Sequence, residues 1–140
     1  MILYCDSSAL IKLYLDEQGS PQVVDSFQSA QEKVVSVIGY AEVCSGIYRK
    51  ARMGDVTRSA RHKAIRGFEN DWLAIMKVNL SWEVNQIAKQ VLSKYSLRAF
   101  DALHLASALY FQRKSERDIH FLTFDQRQKE AARQEDLMLV

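Results

Sequence analysis

Residues 2–10 read ILYCDSSAL: Ile2, Leu3, Tyr4 and Cys5 form an unbroken apolar run that meets Asp6 at once, and Ser7, Ser8, Ala9 and Leu10 follow. A short run apolar at every position is the pattern of a strand covered on both faces, not of one with a wet side. Ser7 to Leu15 reads as a short helix, so the chain turns over directly after Asp6. A strand that passes straight into a helix opens an α/β unit and leaves Asp6 at the strand's carboxyl end.

The rest of the chain repeats the alternation. Gly19-Ser20-Pro21 supplies a turn, an N-cap and a proline at the first helical position of a helix to about Ala30. Lys33 to Ile38 is β-branched and short, a second strand. Tyr40 to Met53 reads as a helix ended by Gly54, and Thr57 to Ala74 as its partner in a helical hairpin. Ile75 to Asn79 is a third strand. Ser81 caps the next helix, with Glu83 in its first turn, and Val84, Ile87, Ala88, Val91, Leu92 and Tyr95 recur at helical spacing. Arg98 to Gln112 is apolar nearly all round and therefore buried. Ile119 to Thr123, Asp125 to Gln134 and Leu137 to Val140 complete the series as strand, helix and short strand. The expected fold is α/β: a mostly parallel sheet of four to five short strands flanked by helices on both sides, in a single domain over residues 1–140.

Composition agrees. With 48% hydrophobic and 26% charged residues, the chain is not disordered, and 5 Gly with 1 Pro exclude collagen-like and loop-dominated folds. No apolar run reaches the roughly 20 residues of a membrane span, and Met1 to Asp6 lacks the basic start of a signal peptide. Two cysteines, Cys5 and Cys44, are too few for a disulfide framework or a thiolate zinc site, so a reducing compartment, the cytoplasm, is expected.

In open parallel sheets ligands bind beyond the carboxyl ends of the strands. Asp6 follows the first strand, Glu42 lies in the first turn after the second, and Asp125 follows the fourth. Asp101 opens a helix that runs back along the sheet, so its start also belongs at that edge. Each acid singly is explained by helix capping or dipole complementarity, and Asp125 with Gln128 has capping-box spacing. Their convergence is what points to a site. Two carboxylates about 5 Å apart repel by roughly 3 kcal/mol at an effective dielectric of 20. Four together call for protons or a cation, and all-oxygen donors select Mg²⁺ or Mn²⁺.

The patterns Asp6-Ser7-Ser8-Ala9-Leu10, Tyr40-Ala41-Glu42, Asp101-Ala102-Leu103-His104-Leu105-Ala106 and Thr123-Phe124-Asp125 followed by Ala131-Ala132 resemble the PIN domain, and more narrowly its VapC-type ribonuclease toxins. The resemblance covers nearly the whole chain. It implies a five-stranded parallel sheet and a Mg²⁺- or Mn²⁺-dependent endoribonuclease that hydrolyses an RNA phosphodiester with a metal-activated water. The catalytic and metal-binding residues would be Asp6, Glu42, Asp101 and Asp125, with Ser7 and Thr123 as supporting hydroxyls. It further implies a homodimer restrained by a cognate antitoxin on a separate chain. Gln126, Arg127, Gln128 and Lys129 stand where some relatives carry further acids, which bears on a second metal ion. Two alternatives stay open: a PIN-like nuclease acting on DNA or in RNA processing without an antitoxin, and a non-catalytic α/β protein-binding module.

Between Arg49 and Arg66 lie seven basic residues, Arg49, Lys50, Arg52, Arg58, Arg61, Lys63 and Arg66, opposed only by Asp55. With Arg98, Arg49, Arg52, Arg58, Arg61 and Lys63 are candidates for RNA-backbone contact; a solvated helix face is the plain alternative. His104 follows Asp101 by three residues and faces nearly the same side, but the apolar helix around it favours a hydrogen-bonding role over a metal ligand. Leu10, Ile11, Leu13 and Tyr14 read as sheet-facing core, with an antitoxin groove as the second reading.

Overall fold

The computed structural model describes residues 1–140. Five strands, β1 (Ile2–Cys5), β2 (Glu32–Ser36), β3 (Met76–Val78), β4 (Ile119–Leu122) and β5 (Met138–Leu139), form one sheet in the order β3-β2-β1-β4-β5. Every neighbouring pair is parallel, and Ile2 at the start of β1 is in register with Glu32 and Ile119.

The helices are α1 (Ser7–Leu10), α2 (Ser20–Ser29), α3 (Gly39–Arg52), α4 (Arg58–Ala74), α5 (Trp82–Lys94), α6 (Ala99–Ser115) and α7 (Gln126–Gln134). The strand alternation distributes them. Ile2 and Tyr4 of β1 face a core completed by Val84, Ile87 and Val91 of α5, Leu105 and Leu109 of α6, and Ala131 and Ala132 of α7. Leu3 and Cys5 point the other way, into a core with Leu10 of α1, Val43 and Ile47 of α3, and Phe68 of α4. All four β1 residues are buried, which is why no polar alternation is visible in their sequence.

Boundaries move by small amounts. The helix expected over Ser7 to Leu15 is the one-turn α1 followed by a 3-10 turn at Ile11–Leu13. That tighter winding brings both Leu10 and Leu15 into the core. The second strand lies at Glu32–Ser36 rather than Lys33 to Ile38, because Gly39 already begins α3. Helix α6 runs on to Ser115, past Gln112, and stops at Glu116 with φ 54°. Gly54, at φ 81°, closes the α3–α4 hairpin as its position suggests. No helix is long and apolar enough to cross a membrane.

Candidate active site

The crossovers place the starts of α1, α3, α6 and α7 at the carboxyl edge of the sheet, and the acids come with them. Asp6 is the N-cap of α1, its Oδ1 accepting from Ala9 N at 3.0 Å and from Ser8 Oγ at 2.7 Å. Its Oδ2 accepts from Thr123 Oγ1 at 2.6 Å and from Gln128 Nε2 at 3.1 Å. The same Gln128 amide donates to Asp101 Oδ1 at 3.1 Å. Asp125 caps α7, its Oδ1 accepting from Gln128 N at 2.8 Å, while its own N–H donates to Thr123 Oγ1 at 3.1 Å. The capping roles read from the sequence are therefore real for Asp6 and Asp125; both oxygens of Asp6 are engaged, while Asp125 caps with Oδ1 alone.

Glu42 stands beside this group with its own partners. Its Oε1 accepts from Ser7 Oγ at 2.8 Å and lies 2.6 Å from His104 Nε2. His104 is buried, and its Nδ1 is 3.1 Å from the Tyr4 hydroxyl. The ring is a hydrogen-bonding bridge, as the apolar surroundings suggest. Asp6, Thr123, Gln128, Asp101 and Asp125 thus make one connected group, and Glu42, Ser7, His104 and Tyr4 a second, joined through the neighbouring residues Asp6 and Ser7.

The electrostatics of the first group are short of positive charge. Burial raises the Asp6 carboxyl above its usual range, against the opposing pull of His104 and of the Thr123, Ser8 and Ala9 hydrogen bonds. Asp101 is raised as well, by burial and then by the charges of Asp125 and Asp6, with Arg98 and His104 acting against them. Glu42 goes the other way: burial would raise it, but the His104 and Ser7 interactions outweigh burial and hold it low. Yet no three His, Cys, Asp or Glu side chains meet closely enough to form a ready-made cation cage. The Gln128 amide occupies the place between Asp6 and Asp101. The donor set nonetheless fits a hard divalent ion: oxygen ligands only, two carboxylates with raised pKa, and a shared neutral donor where positive charge is wanted.

Gln128 is the residue that sequence reasoning passed over. Its capping-box spacing accounted for its backbone, but its side chain is buried and turned to the acids, with Oε1 lacking any partner. Arg127 was also unmarked; it lines a small cleft of about 280 Å³ together with Arg98, Asp101 and Asp125. Among the basic candidates, Arg49 shares a groove with Glu42. Lys50 is paired with Glu17 at 3.0 Å, and Arg61 lies over the Tyr48 ring at 5.9 Å. Lys63 and Arg66 border the largest cavity, about 810 Å³ between the 3-10 turn and α4. Asp6, Glu42, Asp101 and Asp125 do not line it.

The PIN domain profile matches residues 3–134, a span that includes all four acids. The chain belongs to the PIN domain family. This PIN domain is 35% identical over 108 residues to ribonuclease VapC45 and to ribonuclease VapC49, both of Mycobacterium tuberculosis, a match covering 77% of this chain and 75% of each of theirs. It belongs with the VapC ribonucleases, a nuclease and hydrolase family. Its fold is shared by solved structures at low identity. The crystal structure of VapC20 from Mycobacterium tuberculosis, described as a sarcin-ricin loop cleaving toxin, superposes with a TM-score of 0.69 at 15% identity, covering 92% of this chain and 94% of that one. FitAcB of Neisseria gonorrhoeae gives a TM-score of 0.67 at 18% identity, covering 99% and 96%. VapBC-1 of nontypeable Haemophilus influenzae gives 0.66 at 15%, covering 100% and 97%. The five-stranded parallel PIN-like architecture expected from the sequence is the one found.

Proposed function

We propose that this PIN domain is a divalent-metal-dependent endoribonuclease, the toxin of a toxin–antitoxin pair, with Asp6, Glu42, Asp101 and Asp125 as its working carboxylates. The observation that carries the proposal is the single Gln128 amide shared by Asp6 and Asp101. Two carboxylates drawn together around one neutral donor, both with raised pKa, are the arrangement a cation stabilises.

Asp6 and Asp101 would hold the ion, Mg²⁺ or Mn²⁺, with Asp125 and Glu42 completing the set directly or through water. The chemistry such an ion supplies when bound is polarisation of a phosphoryl oxygen and acidification of water. The protein's own contribution is orientation. Thr123 and Ser8 fix the two oxygens of Asp6. Ser7 and His104 both grip Oε1 of Glu42 and leave Oε2 available to accept a proton. The lowered pKa of Glu42 keeps it ionised at neutral pH and therefore an acceptor. Arg98, whose charge acts on Asp101, stands where a phosphate of the substrate would be met. The VapC relatives support RNA as the substrate, and the toxin–antitoxin pairs that share the fold support a separately encoded antitoxin as the partner.

The test is incubation of the protein, freed of any co-purifying partner, with total cellular RNA in Mg²⁺ or Mn²⁺, against EDTA and Asp6→Asn controls, with fragment ends mapped. Discrete fragments with 5′-phosphates, absent from both controls, are expected. Cleavage that survives EDTA and Asp6→Asn would overturn the carboxylate site, and cleavage of DNA in preference to RNA would overturn the substrate.

A further inference from the structure

Phe100 is an aromatic residue in an unusual place. It immediately precedes Asp101 in the first turn of α6, and it is 59% exposed. On the facing helices α3 and α4, Tyr40, Phe68 and Trp72 pack on one another with ring centroids 5.3–5.5 Å apart. Phe100 stacks on no ring. It lines a groove of about 480 Å³ together with Ile38, Ala41 and Ser45, and the same groove is lined by Glu42 and Arg49. An apolar plate, a free cation and a site carboxylate therefore share one concave surface.

We infer that this groove is a nucleobase subsite, in which Phe100 stacks on an unpaired base of single-stranded RNA beside the scissile phosphate and Arg49 contacts the flanking phosphate. The inference rests on the ribonuclease reading and adds where the strand lies. Base–aromatic stacking needs one exposed π-face next to positive charge that tracks the backbone. Phe100 supplies the face. Arg49 enters no ion pair with an acid, unlike its neighbour Lys50. The groove is continuous with the acids, since Glu42 lies in its lining and Asp101 is bonded to Phe100 in sequence. A second copy of the chain is the other occupant to weigh. The centres of protein–protein interfaces are enriched in Phe and Arg but depleted of Glu, so it is Glu42 in the lining, together with an Arg49 that pairs with no acid, that weighs against a second copy. A strand that is itself apolar on its base faces and anionic along its backbone matches that mixture.

The experiment is a thermodynamic cycle in the full chain carrying Asp6→Asn, which prevents cleavage during the measurement. Single-stranded RNA oligonucleotides, each with one abasic position, are titrated against protein with Phe100, Phe100→Leu or Phe100→Trp, and sedimentation velocity is run on each variant. Phe100→Leu, which keeps apolar bulk and loses the aromatic face, should raise Kd by roughly 5- to 150-fold, the range measured for loss of a stacked base; Phe100→Trp should restore binding. The penalty should vanish for oligonucleotides lacking the one base that Phe100 covers. A penalty equal at every abasic position, or no penalty, overturns the subsite while leaving RNA binding by the parent protein intact. A change of oligomeric state in Phe100→Leu overturns it in favour of an interface between copies. A natural-sequence protein that neither binds nor cuts RNA overturns the ribonuclease reading and the subsite together.

Discussion

Nε2 of His104 lies 2.6 Å from Oε1 of Glu42, while Nδ1 of the same ring lies 3.1 Å from the Tyr4 hydroxyl. One buried imidazole thus ties a central-strand tyrosine to a carboxylate at the sheet edge. Removing it in His104→Ala opens a cavity and takes one partner from the buried Tyr4 hydroxyl, which should cost about 2–4 kcal/mol. Part of that loss depends on pH. The folded-state pKa of Glu42 is depressed, so its contribution is fully present above the unfolded value of about 4.3 and is lost as pH falls through the folded value. Urea melts of both proteins across pH 3 to 7 should show the gap between wild type and His104→Ala widest above about pH 4.3 and narrowing below it. A constant gap would mean that the ring does not set the Glu42 titration.

Asp6 and Asp101 carry the opposite sign. Their folded-state pKa values are raised, so ionising them lowers stability as pH rises from the unfolded value of about 3.9 through the folded values. A divalent cation should reverse that loss, and only where the carboxylates are ionised. At a hundredfold excess over Kd, binding adds about 2.7 kcal/mol, or about 5–11 °C in Tm. Thermal melts with Mn²⁺ against EDTA should show that rise near pH 7.5, a much smaller one at pH 4, and none in Asp101→Asn. An equal rise in Asp101→Asn would place the ion elsewhere.

The two acids and the amide between them also show what a sequence can and cannot display. The apolar run before Asp6, the helical spacing from Val84 to Tyr95 and the Asp125–Gln128 cap are local patterns, each fixed by neighbours in the chain, and each appears in the structure close to where it was read. The Gln128 side chain is different. Its bond to Asp6 spans 122 residues and exists only because β4 pairs with β1 and α7 packs on α6. No periodicity encodes that meeting. Phe100 escaped for a related reason: α6 is apolar nearly all round, which reads as burial throughout, but its first turn emerges at the sheet edge.

Substitution of Gln128 separates shape from charge. Gln128→Leu removes the shared donor and also the orphaned Oε1, two effects of opposite sign, so a loss of about 1–2 kcal/mol is expected. Gln128→Glu keeps the shape and places a third carboxylate against Asp6 and Asp101, which should cost several kcal/mol without metal. Denaturant midpoints at pH 8 in EDTA should rank wild type above Gln128→Leu above Gln128→Glu, with Mn²⁺ recovering the last more than the others. Equal midpoints for the two variants would mean that the residue acts through packing alone.

Gly19 connects a distant turn to the site. Its φ is 92°, and a Cβ there would stand 2.5 Å from Cε1 of Phe124. Phe124 lies between Thr123, which holds Asp6, and Asp125. Gly19→Ala should therefore combine backbone strain of about 1–2 kcal/mol with displacement of the β4–α7 connection. The expected outcome is a lower Tm together with weaker Mn²⁺ binding by calorimetry. A lower Tm with unchanged Mn²⁺ affinity would show that the ring yields without moving its neighbours.

The basic hairpin offers a comparison of adjacent residues. Lys50 Nζ lies 3.0 Å from Glu17 Oε1, so its charge is already answered within the fold, whereas Arg49 lines the groove with Glu42 and pairs with no acid. Glu17 keeps Lys12 as a second partner at 3.0 Å, which makes loss of Lys50 tolerable to the fold. Counterion release gives each phosphate contact on a single strand a slope of about 0.7 in log K against log salt. Arg49→Gln should lower the slope for single-stranded RNA by about that amount, and Lys50→Gln by much less. Because both variants remove one positive charge from neighbouring positions, a general loss of surface potential would change the two slopes equally. Only a direct contact at Arg49 separates them.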